Sequence, residues 1–294
     1  MRSLKSILCC VAAGMLAATA CSPAAPAAPV APGPAPTPAP AAAQPKVEPT
    51  AVAASVSAAT PASQCDPGKE QWRSTDPPKR GGTIVRPSSI DFFDPTRPTG
   101  AGDPAPQVYQ GLFETRGCRY GDTVMVPVLA KSYEISPDGL TYTIKLRDNV
   151  KWHNKPPVNG RPFTSADVAW SIEFHKAGSV VRSFWEGVTH DEPDPYTVIL
   201  HLKQPDADFL QKLGHYQNFM LAHEVKEQDG DFGKTAIGTG PFMLQDWKQG
   251  QESMAVRNPD YYEMGTDGKP LPYVDAVRTV NFSDYNAEVA AFRG

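Results

Sequence analysis

Between residues 130 and 174 the order of apolar and polar residues specifies two elements and the turn between them. Leu140, Tyr142, Ile144 and Leu146 alternate with Thr141, Thr143, Lys145 and Arg147. A period of two places one set on each face of a strand, one face apolar and one polar. Ser136-Pro137-Asp138-Gly139 stands before it. Proline presets φ at the second position of a type I turn, and glycine tolerates the exit geometry. Residues 131–135 are therefore expected to pair back on 140–146 as a hairpin. A Pro- and Gly-rich loop follows at 154–162. Thr164 then reads as a helix N-cap, with Asp167 as the acidic group of the first turn. Val168 and Ile172 share one side of that helix, and Trp170 and Phe174 lie nearly opposite. A helix apolar on two sides packs between layers.

The same reading extends along the chain. Gly81-Gly82 breaks into a short strand, 83–86, followed by a loop from 88 to 99 whose turn is Asp94-Pro95. Residues 107–113 read as a helical piece. A strand at 196–202 follows the run Asp191-Glu192-Pro193-Asp194-Pro195, read as a turn, with Val198, Leu200 and Leu202 on one face. Short helices are expected at 207–213 and 286–292, and a strand at 277–282. Gly238-Thr239-Gly240-Pro241-Phe242 permits a tight turn entering a strand. Strands and helices alternate, which makes the fold class α/β.

Composition narrows the function. The chain has 294 residues, a formal charge of −4 and a pI near 5.9. No basic excess points to nucleic acid. Arg2 and Lys5 precede an apolar run from 7 to 20, so 1–20 reads as a secretory signal peptide. The run is short of the ~20 residues of a membrane span. Cys21 follows Leu16-Ala17-Ala18-Thr19-Ala20. Small residues before a cysteine resemble a bacterial lipobox, with Ala18 where leucine is usual. Ordinary cleavage after Ala20 fits the same residues. Residues 21–64 are nearly all Ala, Pro, Val, Ser and Thr. They hold too little apolar surface to offset chain entropy, and are expected to form an extended, disordered tether. Such a tether favours lipidation of Cys21. Of five cysteines, Cys9 and Cys10 fall in the signal. Cys65 and Cys118 remain, and in an exported chain they form one disulfide or stay as two free thiols.

Catalytic chemistry finds little support. The six histidines, His153, His175, His190, His201, His215 and His223, fit no HExxH pattern. There is no GxSxG elbow, no GxGxxG and no phosphate loop. No enzyme, cofactor or metal site is expected.

The run SPDGLTYTIKLRDNVKWH followed by PFTSADVAWSIEF resembles the signature region of the extracellular solute-binding proteins of family 5. These are the oligopeptide-, dipeptide- and nickel-binding receptors of ABC importers. GTGPF at 238–242, RNPDYY at 257–262 and KPLPYVD at 269–275 follow in the family's order, so the resemblance runs from about 82 to 294. It implies a periplasmic-binding-protein-like first lobe of the type II, peptide-binding cluster. Residues 65–104 would open that lobe, 105–235 would form an inserted α+β subdomain, and 236–294 would return to the first lobe and leave it incomplete. It also implies that Thr99, Gly100 and Ala101 border the ligand cleft and that Tyr216 and Asn218 approach it. Read without the resemblance, the first three are a surface turn and the other two ordinary packing.

Family members carry a second lobe and are nearly twice this length. The second lobe is therefore expected to be absent, the chain to be an N-terminal fragment, and the isolated chain to be marginally stable and to bind no peptide. The implied function is capture of a peptide or other small solute by a monomeric lipoprotein, held at the outer face of the cytoplasmic membrane or in the periplasm. Delivery to ABC permease subunits would follow closure of a two-lobed cleft. The alternative is a single-lobe surface lipoprotein that serves interaction without transport. Peptide, nickel chelate and sugar are not distinguished.

Overall fold

The computed structural model describes residues 76–87, 94–97, 105–117, 123–282 and 284–293. The signal and tether expected over 1–64, and Cys21, Cys65, Cys118, Thr99, Gly100 and Ala101, lie outside them.

The hairpin forms where the alternation places it. Strand β4 (Ala130–Ile135) pairs antiparallel with β5 (Thr141–Leu146), with a bulge between Ala130 and Ser132. The turn closes through Gly139 N donating to the Ser136 carbonyl at 2.8 Å, and Gly139 has φ +70°. Tyr142, Ile144 and Leu146 are buried, whereas Thr143 and Lys145 face outward. Two more strands, β6 (Thr189–Asp194) and β7 (Thr197–His201), complete a four-stranded antiparallel sheet in the order β4-β5-β7-β6.

Helix α2 (Ser165–Gly178) packs on that sheet through β6 and β7. Thr164 is its N-cap, and the Thr164 amide donates to Asp167 Oδ2 at 2.9 Å. Such a cap contributes about 1 kcal/mol. Val168 and Ile172 are fully buried. On the other side Trp170 stacks on Phe174 at 5.3 Å, and both meet Phe232. The helix is thus covered on two sides, as the spacing requires. Arg161 ties its first turn to the next layer: it donates to both Asp167 oxygens at 2.6 and 2.9 Å and to Glu224.

The second sheet joins distant parts of the chain. Strand β1 (Thr83–Pro87) runs parallel to β10 (Ala276–Val280), followed by β9 (Glu252–Arg257) and β8 (Phe242–Lys248) in antiparallel order. A two-stranded piece, β2 (Phe113–Gly117) with β3 (Thr123–Pro127), stands apart from both sheets. Helices α1 (Ala105–Val108), α3 (Phe209–Leu213), α4 (His223–Asp229) and α5 (Tyr285–Arg293), with a 3-10 turn at Arg182–Phe184, complete the described elements. No helix among the described residues is long and apolar enough to cross a membrane.

Two expectations change. The helix expected over 107–113 ends at Val108. The reason is a close backbone crossing: a Cβ on Gly111 would sit 2.9 Å from the Asn218 carbonyl, and the Gln110 carbonyl accepts from Met220 N at 2.9 Å. The turn expected at 191–195 is instead mostly strand, since β6 continues to Asp194. Pro193 is tolerated because β6 is an edge strand and the pairing is irregular between Asp191 and Asp194.

His153 links the two sheets' neighbourhoods. Its amide donates to the Gly238 carbonyl at 2.9 Å, Gly238 N donates to its Nδ1 at 3.3 Å, and Nε2 lies 3.0 Å from the Gly240 carbonyl. The glycines are required because a Cβ at 238 would run into the Val108 carbonyl.

Candidate ligand groove

An open groove of about 1230 Å³ lies between β2–β3 and the chain that follows α3. This exceeds the ~300–1,000 Å³ of a drug-sized ligand site. Phe113, Thr115 and Met125 form one side, and Leu210, His215 and Tyr216 the other. The two sides touch at one end. Thr115 Oγ1 donates to the Gly214 carbonyl at 3.3 Å, and a side chain at 214 would collide with Met125.

The base of the groove is polar but uncharged. Gln110 Nε2 donates to the Tyr261 hydroxyl at 3.0 Å, and Gln110 Oε1 accepts from Thr239 Oγ1 at 3.1 Å. Tyr262 OH donates to the Val128 carbonyl at 3.2 Å. Burial pushes the phenols of Tyr109, Tyr261 and Tyr262 up, so all three stay protonated at neutral pH. Among the charged lining residues, Arg116 pairs with Glu114 and Lys212 with Asp206. The groove therefore offers apolar surface, neutral hydrogen-bonding groups and one exposed carboxylate, Asp208.

Of the residues expected at the cleft, Tyr216 lines the groove and is 59% exposed. Asn218 is buried beneath it. Its Oδ1 accepts from Trp185 Nε1 at 3.1 Å, and its Nδ2 donates to the Lys212 carbonyl at 3.2 Å. Its amide group is thus engaged in holding the segment from 212 to 218. Thr99, Gly100 and Ala101 are outside the described residues. Arg97, described just before them, has its carbonyl 3.5 Å from Gln217 Nε2.

Sequence reasoning missed Gln110, His215, Met125 and Tyr261 as groove residues. Tyr261 belongs to the RNPDYY run already singled out, and Gln110 to the piece at 107–113 expected to be helical. Their role depends on a crossing of distant segments that no local pattern announces. Among the described residues, no group of three or more His, Cys, Asp or Glu side chains is placed to hold a metal ion.

Comparison with known proteins adds three findings. Residues 124–294 match the family described as bacterial extracellular solute-binding proteins, family 5 Middle. A Brucella ovis protein named as an ABC transporter peptide-binding protein is 37% identical over 175 residues, covering 56% of this chain and 31% of that protein. The glutathione-binding protein GsiB of Salmonella typhimurium is 31% identical over 191 residues, covering 63% of this chain and 35% of GsiB. This chain thus spans about a third of the length of these curated relatives. Among solved structures, the periplasmic binding protein DppA of Helicobacter pylori, in complex with the peptide STSA, matches with a TM-score of 0.62 and 29% identity. That match covers 73% of this chain and 45% of DppA. NikZ of Campylobacter jejuni, in complex with Ni(L-His), matches with a TM-score of 0.60 and 27% identity over 74% of this chain and 42% of NikZ. The fold is that of the peptide-binding periplasmic proteins, in part of their length.

Proposed function

The chain belongs to the bacterial extracellular solute-binding proteins of family 5, and from that premise we propose that it contributes one wall of a cleft that captures a peptide for an ABC importer. The observation that carries this reading is the groove itself. It is open, larger than a single drug-sized ligand needs, and uncharged at its base. A peptide backbone asks for hydrogen-bonding groups without fixed charge, and variable side chains ask for room. Tyr216 contacts the ligand directly in this scheme, Asn218 acts by holding Tyr216 in place, and Thr99, Gly100 and Ala101 border the same cleft. The mechanism is binding followed by closure of a second body over the groove. It needs no cofactor and no bond-making step.

The proposal includes export through the signal at 1–20, lipid attachment at Cys21, a tether over 21–64, action as a monomer and delivery to permease subunits in the membrane.

The test is thermal unfolding of the native protein, purified from the membrane fraction of its source at the length the cell makes. Short peptides, glutathione, nickel-histidine and a disaccharide are added in turn. A ligand at a hundred times its Kd stabilises by about 2.7 kcal/mol, which raises Tm by roughly 5–10 °C. Stabilisation by short peptides or by glutathione, itself a tripeptide, and not by nickel-histidine or the disaccharide supports the reading. Stabilisation by nickel-histidine or the sugar alone replaces the peptide with that ligand. No shift with any of the four overturns solute capture.

A further inference from the structure

Tyr216 is the one large, well-exposed hydrophobic residue on the groove among the described residues. The others of its kind, Ile84, Val85, Met264 and Tyr285, lie elsewhere. Its ring is the outer member of a ladder. The Tyr216 and His215 centroids are 4.7 Å apart at 33°, and His215 meets Phe184 edge-on at 5.2 Å and 76°. Phe184, His215 and Tyr216 all line the groove.

The ladder is held from behind. Asn218 N donates to the His215 carbonyl at 2.8 Å, and Gln217 N donates to His215 Nδ1 at 3.2 Å. Accepting at Nδ1 places the imidazole proton on Nε2, which is the neutral tautomer. Burial acts in the same direction by lowering the His215 pKa. Asn218 anchors the turn to Trp185 and to the Lys212 carbonyl. These bonds fix the backbone turn and the His215 ring against which Tyr216 rests, so less of the site has to be ordered on binding.

The cations around the groove are paired, and the exposed Asp208 is the remaining carboxylate on its lining. Arg116 faces Glu114, and Lys212 faces Asp206. An anionic ligand group beside the ladder would lose water without gaining an unpaired cation from Arg116 or Lys212. A flat apolar group loses little and gains an offset stack.

On the reading that the groove captures peptides, we propose that the Phe184–His215–Tyr216 ladder is a specificity subsite for a flat aromatic side chain, and that the preferred substrates are peptides bearing phenylalanine or tyrosine. An aromatic pair contributes ~0.5–1.5 kcal/mol beyond the area it buries. Since 1.4 kcal/mol is tenfold in affinity, the preference for Phe over Leu is expected to be about 2- to 12-fold.

The experiment measures Kd for Ala-Phe-Ala and Ala-Leu-Ala by calorimetry. It uses the native protein and its Tyr216→Ala and Tyr216→Phe variants, expressed in the source cell. Tyr216 is exposed, and an unchanged Tm shows that each variant folds. The expected result is tighter binding of Ala-Phe-Ala by the native protein, retention of that ratio in Tyr216→Phe, and a ratio near one in Tyr216→Ala. Equal binding of the two tripeptides by the native protein overturns the inference. So does a Phe/Leu ratio that survives Tyr216→Ala. Both results leave peptide capture standing. Failure of both tripeptides to bind the native protein overturns peptide capture and this subsite together.

Discussion

His153 and His175 are each held neutral by burial, with pKa values lowered to about 4 from the ordinary 6.5. Each has a fixed task. His153 binds the 238–240 turn, and His175 joins α2 to the Phe219 carbonyl at 2.9 Å. An unfolded chain takes up these protons near pH 6.5, whereas the folded chain resists until near pH 4. Stability is therefore fully present above the unfolded pKa and lost as the pH falls through this window. At pH 5 the loss is on the order of 2 kcal/mol per histidine. Carboxylates such as Asp138 and Glu173, whose pKa values are lowered by hydrogen bonds from Ser136 and Lys176, stay ionised in both states at pH 5 and contribute little. Urea midpoints at pH 7 and pH 5 measure the difference. A midpoint that does not move would show that these imidazoles are not buried neutral.

At the scale of elements, Arg161 is the tie between the loop at 154–162, α2 and α4. Asp167 is 3% exposed, so removing its guanidinium partner strands a buried carboxylate. Breaking a buried pair costs about 3–5 kcal/mol, and the 29% exposure of Arg161 reduces that to roughly 2–3. Arg161→Ala should lower the unfolding free energy by this amount, and Arg161→Lys by less, since the charge is kept although an ammonium cannot serve both carboxylates with a fork. A loss under about 0.5 kcal/mol for Arg161→Ala would place the ion pair among surface contacts of little weight. This element also shows what the sequence makes legible. Thr164, Asp167 and the two apolar sides of α2 were readable because capping and periodicity are local. So was the β4–β5 hairpin, from alternation and a Pro-Asp-Gly turn. Strands β2 and β3 were not, because neither five-residue run carries an alternation of its own and β2 rests on the distant α3. The truncation of the first helix at Val108 was equally hidden, because its cause is the Asn218 backbone more than a hundred residues away. Tyr216 was placed near the ligand by family resemblance, whereas His215 and Phe184 became groove residues only once the chain had folded beside it.

Across the whole molecule, apolar burial is unevenly shared. The large core takes in α2, the β4-β5-β7-β6 sheet and the segments around them. The sheet of β1, β10, β9 and β8 has a small separate cluster, Phe242, Ala255 and Val277, and on β1 Ile84 and Val85 are 47% and 44% exposed. Local opening free energy follows buried apolar contact. Amides of β1 and β10 should thus exchange with deuterium well before those of β5 and β7 when the chain is followed by mass spectrometry. Simultaneous exchange of all four strands would mean that the two sheets open as one unit.

The parallel pairing of β1 with β10 also sets a clock on biosynthesis. Roughly 190 residues separate the two strands, and at about 5–20 residues per second β10 leaves the ribosome ~10–40 s after β1. Throughout that interval β1, with Thr-Ile-Val at its start, has no native partner from this sheet, while the β4–β5 hairpin has had its complete sequence for most of the time. The first described strand to be made is among the last to be placed, and a nascent chain of this protein must keep it from pairing elsewhere until then.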